Sequence, residues 1–209
     1  MTSHLLALAL AYVLGALPFG YVIVRLTSGQ DVRGGGSGST GATNVTRTAG
    51  LKAGILTYLL DVAKGMAAVA VMRQLTTDPL WLGLAAAATI LGHVYPVFLG
   101  FKGGKGVATG VGAYLMIAPL AVVTTLVVWA VLFWRTRTVS LASIVATALV
   151  PVWTLLWYGW IWPRPDAIST ALATCAGCVI VIAKHHENIR RLLAGTEARF
   201  SGSSKSESS

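Results

Sequence analysis

Two polar segments of the sequence combine glycines, hydroxyl groups and basic side chains in a way that suits a phosphate group. The first is RGGGSGSTGATNVTR, in which Thr43, Asn44 and Arg47 follow a run of glycines and serines. The second is GHVYPVFLGFKGGKGVATG, in which Lys102 and Lys105 flank two glycines. Glycine-rich backbone exposes N–H groups, and these together with hydroxyls and cationic side chains are typical of anion sites. The chemistry indicated is the binding of phosphate-bearing molecules.

A third polar segment, KHHENIRRLLAGTEARF, lies near the C-terminus. Its residues His185, Asn188, Arg191 and Leu192 repeat at helical spacing and therefore share one face of a helix. An alternative interpretation is an amphipathic tail that lies on anionic lipid. For the first segment the alternative is a flexible linker, and for the second it is an ordinary basic loop on the cytoplasmic side.

The spacing of GSGSTG also matches a dinucleotide-binding loop, and Asp61 follows about twenty positions later. Such a loop needs a strand before it and a β-α-β unit around it. Here long apolar runs precede and follow the loop, so Asp61 falls inside a helix. We therefore exclude a dinucleotide site, and the second segment likewise lacks the spacing of a P-loop.

The composition indicates the environment that must position these segments. The chain has 209 residues, of which 55% are hydrophobic and 11% are charged, whereas an ordinary globular domain has about 25% charged residues. Its net charge of +9 comes from short basic clusters between apolar runs, without a basic face flanked by stacking aromatics. The N-terminal apolar run has no preceding Lys or Arg and exceeds the core of a signal peptide, so we interpret it as a retained span. The chain is predicted to be a membrane protein that does not bind nucleic acid.

Apolar runs long enough to cross a bilayer occur at about 4–26, 51–73, 79–99, 107–134, 139–162 and 166–183. The run at 107–134 is too long for one upright helix and short for two, and Pro119 interrupts it. If it crosses once, Arg135 and Arg137 lie opposite the first two polar segments. If it crosses twice, nearly all basic residues share one face, which the positive-inside rule favours.

We therefore predict an all-α polytopic membrane protein with seven transmembrane helices. The N-terminus is outside, the C-terminus is cytoplasmic, and the fourth and fifth helices are short. These two helices could be tilted, could thin the bilayer locally, or could start in a loop that folds back into the membrane. One domain is expected over residues 1–200, followed by a disordered polar tail at 201–209. The four tryptophans Trp153, Trp157, Trp160 and Trp162 are predicted to lie at the outer interface.

Two charged residues, Asp61 and Lys64, lie three positions apart within the second predicted helix. An unpaired charge at mid-bilayer costs about 2.5–3.5 kcal/mol, so we expect them to pair. The pair is either structural or an extension of the anion site. His93, near the end of the third helix, either braces a loop or acts as a base.

The two cysteines, Cys175 and Cys178, lie in an apolar run without a neighbouring ligand or base, which favours plain helix packing. Acidic residues are few and scattered, so no metal site is predicted.

Together with DVAKG in the second helix, the three polar segments resemble the bacterial acyl-phosphate-dependent glycerol-3-phosphate acyltransferase family, of the PlsY type. The likeness extends to about residue 200, and GHVYPVFLGFKGGKGVAT is its most specific part. The resemblance implies a seven-helix enzyme of the bacterial inner membrane whose active site faces the cytoplasm and needs no cofactor. It would transfer a fatty acyl group from acyl phosphate to the 1-hydroxyl of sn-glycerol 3-phosphate. The products would be phosphate and 1-acylglycerol 3-phosphate (lysophosphatidic acid), in the first step of phospholipid synthesis.

By the same resemblance, the expected catalytic residues are Ser37, Arg47, Lys105, His185 and Asn188. The expected substrate-binding residues are these five together with Thr43, Asn44, Gly103, Gly104 and Ser140, to which the second segment adds Lys102. Glu197 matches a position that looks structural in the family. Ser39 and Thr40 replace the usual Asn-Ile pair, and His186 stands where Arg is frequent; these departures bear on affinity and leave the charged phosphate ligands in place.

In the mechanism that we expect, Arg47, Lys105 and the Gly103–Gly104 amides hold the phosphates. Ser37, Thr43 and Asn188 orient glycerol phosphate, and His185 is an orienter or a weak base. The sequence contains no G-x-S-x-G elbow, and the resemblance suggests that a substrate phosphate oxygen could accept the hydroxyl proton.

The acyl tail would lie beside the small-residue face formed by Gly106, Gly110 and Gly112. The alternative functions are an organic-phosphate transporter and a lipid-binding scaffold. Neither an inverted repeat nor midplane charges support the transporter, and a scaffold leaves three polar motifs unexplained.

Overall fold

The computed structural model describes residues 1–200 as a bundle of α-helices without strands. The helices are α1 (Thr2–Ala16), α2 (Phe19–Ser28), α3 (Ala42–Arg73), α4 (Pro79–Val94), α5 (Val107–Leu115), α6 (Pro119–Thr136), α7 (Val139–Leu155), α8 (Ala167–Lys184) and α9 (His186–Leu193). Two short 3-10 turns, Val32–Gly34 and Val97–Leu99, lie in the connections, and a π-helical segment, Leu156–Ile161, extends α7. The predicted polar tail at 201–209 lies outside the described residues.

Proline and glycine mark the breaks between and within the helices. Pro18, which lacks a backbone donor, separates α1 from α2. The two helices nevertheless form one apolar stretch that is long enough to cross a membrane. Gly50, with a φ of 87°, kinks α3 just after its first two turns. Helix α4 begins at Pro79, where the Asp78 carboxylate accepts a hydrogen bond from the Leu80 amide at 2.9 Å. The first polar segment therefore ends on a short helical piece that is set at an angle to the following apolar span.

Among residues 1–200, six stretches are long and apolar enough to cross a membrane: Thr2–Ser28, Ala42–Arg73, Pro79–Leu99, Pro119–Thr136, Val139–Ile161 and Ala167–Lys184. Helix α5, with nine residues, is well below the length of about 20 residues that a span needs, whereas α6 has 18 residues. Of the two helices expected to be short, only α5 is therefore clearly so. Seven crossings and the orientation of the termini stay predictions.

The basic clusters that decided between six and seven crossings lie close together. The Phe200 amide, beyond the third polar segment, donates to the Arg137 carbonyl at 2.7 Å. At the other end of α5, Arg73 Nη1 donates to the Met116 carbonyl at 2.8 Å. Because Arg73 ends α3, the chain moves along α5 away from the polar segments and returns along α6. This course supports the predicted turn near Pro119.

The tryptophans before α8 are divided between surface and interior. Trp160 and Trp162 are exposed, as a membrane-interface position requires. Trp157, by contrast, is half-buried and donates its indole N–H to Thr124 Oγ1 on α6 at 2.8 Å, and Trp153 packs against the core. Trp153 and Trp157 therefore fill gaps between helices, and the position of the four tryptophans at the outer interface stays a prediction.

Small residues allow the helices to approach closely. A methyl group on Gly112 would lie 1.9 Å from the Val62 carbonyl oxygen, so α5 packs on α3 through a bare backbone. Cys178 is buried, with its sulfur 3.9 Å from the Tyr114 hydroxyl, and both cysteines are free thiols. Cys178 thus packs in the core as predicted, whereas Gly112 faces α3 instead of a site for an acyl tail.

Candidate active site

All three polar segments border one cavity of about 700 Å³. Its polar wall comes from residues of the loop before α3, the start of α5, the start of α7 and helix α9 with the segment after it. These residues are Ser37, Thr43, Asn44, Arg47, Lys105, Ser140, His185, Asn188, Arg191 and Glu197. The structure therefore brings together eight of the eleven residues that the sequence nominated for the site, in addition to Arg191 and Glu197.

Asn44 organises the first polar loop. It is buried, and its side-chain oxygen accepts a hydrogen bond from the Ser37 amide at 2.8 Å. Its side-chain nitrogen donates to the carbonyls of Val32 and Ser39, both at 2.9 Å. A side-chain amide offers two donors and one acceptor group, so these bonds occupy it within the loop. Asn44 therefore positions the loop, and this differs from the direct substrate contact that the sequence suggested.

Thr43 and Arg47 border the cavity and lie four positions apart at the start of α3. Side chains at this spacing lie on the same helix face. Within residues 1–200, Arg47 makes neither a salt bridge nor a side-chain hydrogen bond, and its side chain is exposed at the cavity. Its guanidinium is therefore available to an anionic ligand.

Lys105 is the cation of the second polar segment that reaches the cavity. Its ammonium group donates to Asn188 Oδ1 at 2.6 Å and so links the loop before α5 to helix α9. Burial lowers the pKa of Lys105 to about 8, and the nearby cations Arg191 and Arg47 act in the same direction while Glu197 opposes them. Several positive charges are thus held close together and partly out of water, and a bound anion would reduce their mutual repulsion.

The neighbouring glycines of this loop do not border the cavity. The Gly103 amide donates to the Val94 carbonyl at 3.2 Å, and the Gly104 amide donates to the His93 carbonyl at 3.1 Å. These N–H groups are therefore used where the chain folds back on the end of α4, which differs from the expected phosphate contacts. Lys102 is exposed and also lies outside the cavity wall.

Glu197 joins three elements at the cavity. Its Oε1 accepts hydrogen bonds from Ser140 and Asn188, each at 2.6 Å, and its Oε2 accepts one from Arg191 at 2.7 Å. Although burial opposes the shift, these three hydrogen bonds lower the pKa of Glu197, so the carboxylate is charged near neutrality. The start of α7, helix α9 and the following segment are held together in this way, in agreement with a structural position for Glu197.

His185 is buried beside the same cavity as a neutral imidazole. Its Nδ1 donates to the Val181 carbonyl at 2.8 Å, which leaves Nε2 as a hydrogen-bond acceptor. Burial lowers the pKa of His185 to about 4, despite the opposing effect of that hydrogen bond, and the charge of Lys105 lowers it further. The ring can orient a hydroxyl group through Nε2 but is a weak base.

The other half of the cavity is apolar and lies between α5, α6, α7 and α8. Its wall includes Val122, Leu126, Ala146, Val150 and Val181, with Trp129 at one side. Gly106 and Gly110 border it as expected for an acyl tail. One cavity therefore presents cations at one end and hydrocarbon at the other.

Arg191 and Glu197, which hold part of the polar wall together, were not among the site residues nominated from the sequence. Arg191 belongs to the helical face that also carries Asn188, so its spacing could have indicated it. Glu197 lies beyond α9, where no periodic pattern reaches, and only its contacts reveal its position. The predicted pairing of Asp61 with Lys64 is confirmed, with 2.8 Å between carboxylate and ammonium.

Comparison with known proteins gives consistent results. The family model described as glycerol-3-phosphate acyltransferase matches residues 5–195. The glycerol-3-phosphate acyltransferase of Syntrophotalea carbinolica is 45% identical over 201 residues, which cover 96% of this chain and 99% of the relative. That of Geobacter sulfurreducens is 45% identical over 200 residues, with the same coverage.

The fold is also similar to a solved structure. The crystal structure of PlsY (YgiH), an integral membrane glycerol 3-phosphate acyltransferase, in its glycerol 3-phosphate form, has a TM-score of 0.86 and 40% identity. The similarity covers 95% of this chain and 96% of that one. The lysophosphatidic acid form of the same protein has a TM-score of 0.83 and 39% identity.

Proposed function

Because the chain belongs to the glycerol-3-phosphate acyltransferase family, of the PlsY type, we propose that its acyl donor is a fatty acyl phosphate. The acceptor is the 1-hydroxyl of sn-glycerol 3-phosphate, and the products are 1-acylglycerol 3-phosphate and inorganic phosphate. The reaction takes place at the inner membrane of a bacterium, on its cytoplasmic side. There it begins phospholipid synthesis.

One observation carries this proposal. Arg47, at the start of α3, and Lys105, in the loop before α5, both reach a cavity whose opposite half is hydrocarbon. Both substrates require this combination, since glycerol 3-phosphate brings a phosphate dianion and the donor brings a phosphate attached to an alkyl chain. A site for a water-soluble anion alone would have no use for the apolar half.

The reaction requires the protein mainly to position the two substrates and to stabilise their negative charge. An acyl phosphate is already an activated mixed anhydride. The hydroxyl oxygen attacks the acyl carbonyl carbon and forms the new ester C–O bond, while the C–O bond to phosphate breaks and phosphate leaves with the electron pair. The hydroxyl proton passes to a phosphate oxygen. Positioning and electrostatic stabilisation can supply most of the acceleration in such a transfer.

Arg47 and Lys105 neutralise the phosphate groups in this mechanism. The Gly103 and Gly104 amides donate to backbone carbonyls at the end of α4. We therefore assign the expected hydrogen bonds to phosphate to the amides in the first turn of α5. Val107 and Ala108 begin that helix and border the cavity, and the first amides of a helix have no intrahelical acceptor. The positive end of α5 adds to the field of the two cations.

Ser37, Thr43 and Asn188 orient glycerol 3-phosphate. His185 holds the hydroxyl through its Nε2 atom, and its depressed pKa makes it a poor acceptor of a full proton near neutrality. This supports proton transfer to a substrate phosphate. The alkyl chain lies between α5, α6 and α7, from which the product can leave sideways into the bilayer.

The test is a reconstitution with purified protein, palmitoyl phosphate and radiolabelled glycerol 3-phosphate. Labelled lysophosphatidate and one equivalent of phosphate are expected. Arg47→Ala and Lys105→Ala should be nearly inactive although folded, whereas Lys52→Ala, which removes an exposed cation outside the cavity, should retain activity. Equal activity with acyl-coenzyme A would contradict the donor assignment. Movement of label into vesicles without acylated product would indicate a transporter.

A further inference from the structure

Three buried polar side chains of α3 and α4 have no part in the chemistry described above, although two of them, Asp61 and His93, also border the cavity. Asp61 and Lys64 on α3 are 1% and 4% exposed, and His93 on α4 is 6% exposed. All three lie in helices that are apolar enough to cross a membrane, where charged groups are costly. Charged residues within membrane-spanning helices therefore indicate a functional role for their arrangement.

Lys64 is the centre of this cluster. Its ammonium group lies 2.8 Å from Asp61 Oδ1, 2.9 Å from His93 Nδ1 and 3.0 Å from the Leu17 carbonyl oxygen. An ammonium group has three donors, and here three acceptors surround it. The Leu17 carbonyl belongs to the break between α1 and α2, so Lys64 ties that break to α3 and α4.

His93 extends the cluster to the second polar loop. Because Nδ1 accepts from Lys64, the ring proton is on Nε2. That edge of the ring lies against Gly104, since a methyl group there would be 2.0 Å from Nε2. The His93 carbonyl also accepts the Gly104 amide at 3.1 Å. Both the ring and the backbone of His93 therefore define where Gly104 lies.

Gly104 is followed directly by Lys105, whose ammonium group meets Asn188 across the cavity. A shift of Gly104 would move Lys105 away from this partner and from any bound phosphate. A continuous chain of contacts therefore leads from the buried ion pair through His93 and Gly104 to Lys105.

We propose that Asp61, Lys64 and His93 form a positioning network that sets the reach of Lys105 towards the substrate phosphate. This inference rests on the proposed function, because it assumes that Lys105 contacts substrate. The three residues act through Lys105 and do not touch the reacting atoms. Two directional hydrogen bonds from the Lys64 ammonium group, to His93 and Leu17, and its ion pair with Asp61 give the network a defined geometry, which apolar packing of equal volume does not provide.

Substitutions at His93 separate positioning from simple packing. His93→Leu removes the acceptor for Lys64 and should lower kcat/KM for glycerol 3-phosphate by roughly 10- to 100-fold, since a misplacement of about 1 Å can have such an effect. His93→Asn keeps an acceptor near the position of Nδ1 and should recover most of the loss. His4→Leu is the matched control, because it removes an imidazole from α1 away from the cavity and should leave the kinetics unchanged.

A second variant guards against a failure to fold. The double substitution Asp61→Leu with Lys64→Met replaces the buried pair by apolar groups, which proteins often tolerate without loss of stability. We expect a folded protein with a thermal midpoint close to that of the wild type and with kcat/KM lowered as in His93→Leu. Wild-type kinetics in this double variant and in His93→Leu would overturn the proposal, as would a change confined to the thermal midpoint.

A double-mutant cycle tests the link to the loop. Gly104→Ala should impair the wild-type protein because the added methyl meets the His93 ring. In a His93→Ala background the same change should have a much smaller effect, since the ring is gone. Effects that simply multiply would contradict a coupling between His93 and Gly104.

Failure of this inference is distinguishable from failure of the proposed function. If the wild type forms no acylated product, the proposed function fails. Calorimetric titration with glycerol 3-phosphate then tests the network by itself, with weaker binding expected for His93→Leu and unchanged binding for His4→Leu. Equal affinity in wild type and His93→Leu would overturn the network.

Discussion

The ammonium group of Lys105 lies 2.6 Å from the side-chain oxygen of Asn188, a residue 83 positions further along the chain. The same Asn188 side chain donates through its nitrogen to Glu197. One amide therefore connects the cation of the second polar segment with the carboxylate that holds the third. This connection is what turns separate polar loops into a single site.

Replacement of Asn188 by alanine should separate Lys105 from Glu197. We expect kcat/KM for glycerol 3-phosphate to fall about 100-fold, because the cation loses its defined position. The measurement is steady-state kinetics with purified protein. Arg190→Ala is the control on the same helix, since Arg190 is exposed and lies outside the cavity wall, and it should behave as the wild type. Wild-type kinetics in Asn188→Ala would contradict the assigned role.

The pH dependence of activity should report Lys105. Its pKa is lowered to about 8, so the charged form, to which we assign phosphate binding, is lost as the pH rises through that value. The charged groups nearest to it are Arg47, Arg191, Glu187 and Glu197. We therefore expect kcat/KM to decline above about pH 8.

Lys105→Arg provides the check on that assignment, because guanidinium does not deprotonate in this range. Its absolute rate can fall, but the alkaline decline should disappear. A decline with the same midpoint in Lys105→Arg would assign the titration to another group.

His185 should contribute no titration near pH 6.5, the ordinary value for histidine. Its pKa is lowered to about 4, so the neutral form is present throughout the range from pH 5 to 7 and is lost only as the pH falls towards 4. A flat kcat profile from pH 5.5 to 7 is expected. His185→Gln, which keeps an acceptor, should be more active than His185→Ala. An acidic limb near pH 6.5 that is absent in His185→Gln would contradict a neutral, orienting histidine.

Glu197 should stabilise the fold through its charge. Its folded pKa is lowered below 4.5, so its contribution is present above that value and is lost as the pH falls through the folded pKa. Glu197→Ala should lower both the thermal midpoint and the activity, because Ser140, Asn188 and Arg191 all lose an acceptor. Glu197→Gln keeps an oxygen acceptor and should have a smaller effect.

The comparison is made by thermal unfolding in detergent at pH 7 and at pH 4. The difference between wild type and Glu197→Gln should shrink at the lower pH. A difference that is independent of pH would show that the charge of Glu197 does not contribute.

The seven-crossing topology can be tested by cysteine labelling in a background with Cys175→Ala and Cys178→Ala. Single cysteines at Ser39, Lys102, Arg135 and Glu187 should react from the cytoplasmic side, and one at Arg164 should react from the opposite side. The decisive position is Arg135. If it labels together with Arg164, the chain crosses six times.

Which polar residues would gather at the site could be predicted well where the signal is local. Arg47 follows Thr43 by one helical turn, and Asn188 precedes Arg191 by nearly one, so each pair had to share a face once its helix formed. Lys102 and Lys105 were indistinguishable by the same reasoning, because they lie in a loop without a period. The way this loop folds back on α4 leaves Lys102 exposed and turns Lys105 inwards.

The amide groups also show the difference between what local sequence predicts and what tertiary contacts decide. A glycine-rich sequence predicts accessible N–H groups, but at Gly103 and Gly104 these groups are taken by the carbonyls that end α4. From the sequence, Asn44 could equally have been a ligand or a loop-organising residue. Its hydrogen bonds to Val32, Ser37 and Ser39 support the second role. Hydrogen-bond partners of this kind come from chain segments whose approach no local pattern specifies.

The sequence by itself determined that this is a helical membrane protein with cationic, glycine-rich loops, because hydropathy and helical period depend only on neighbouring residues and on the solvent. It also determined the family, through motifs that persist in order along the chain. Only the tertiary structure decided which cations face the cavity, that Glu197 organises it, and that His93 connects a buried ion pair with Lys105. The physical reason is that such roles arise from contacts between residues distant in sequence, and these contacts form only when the helices pack.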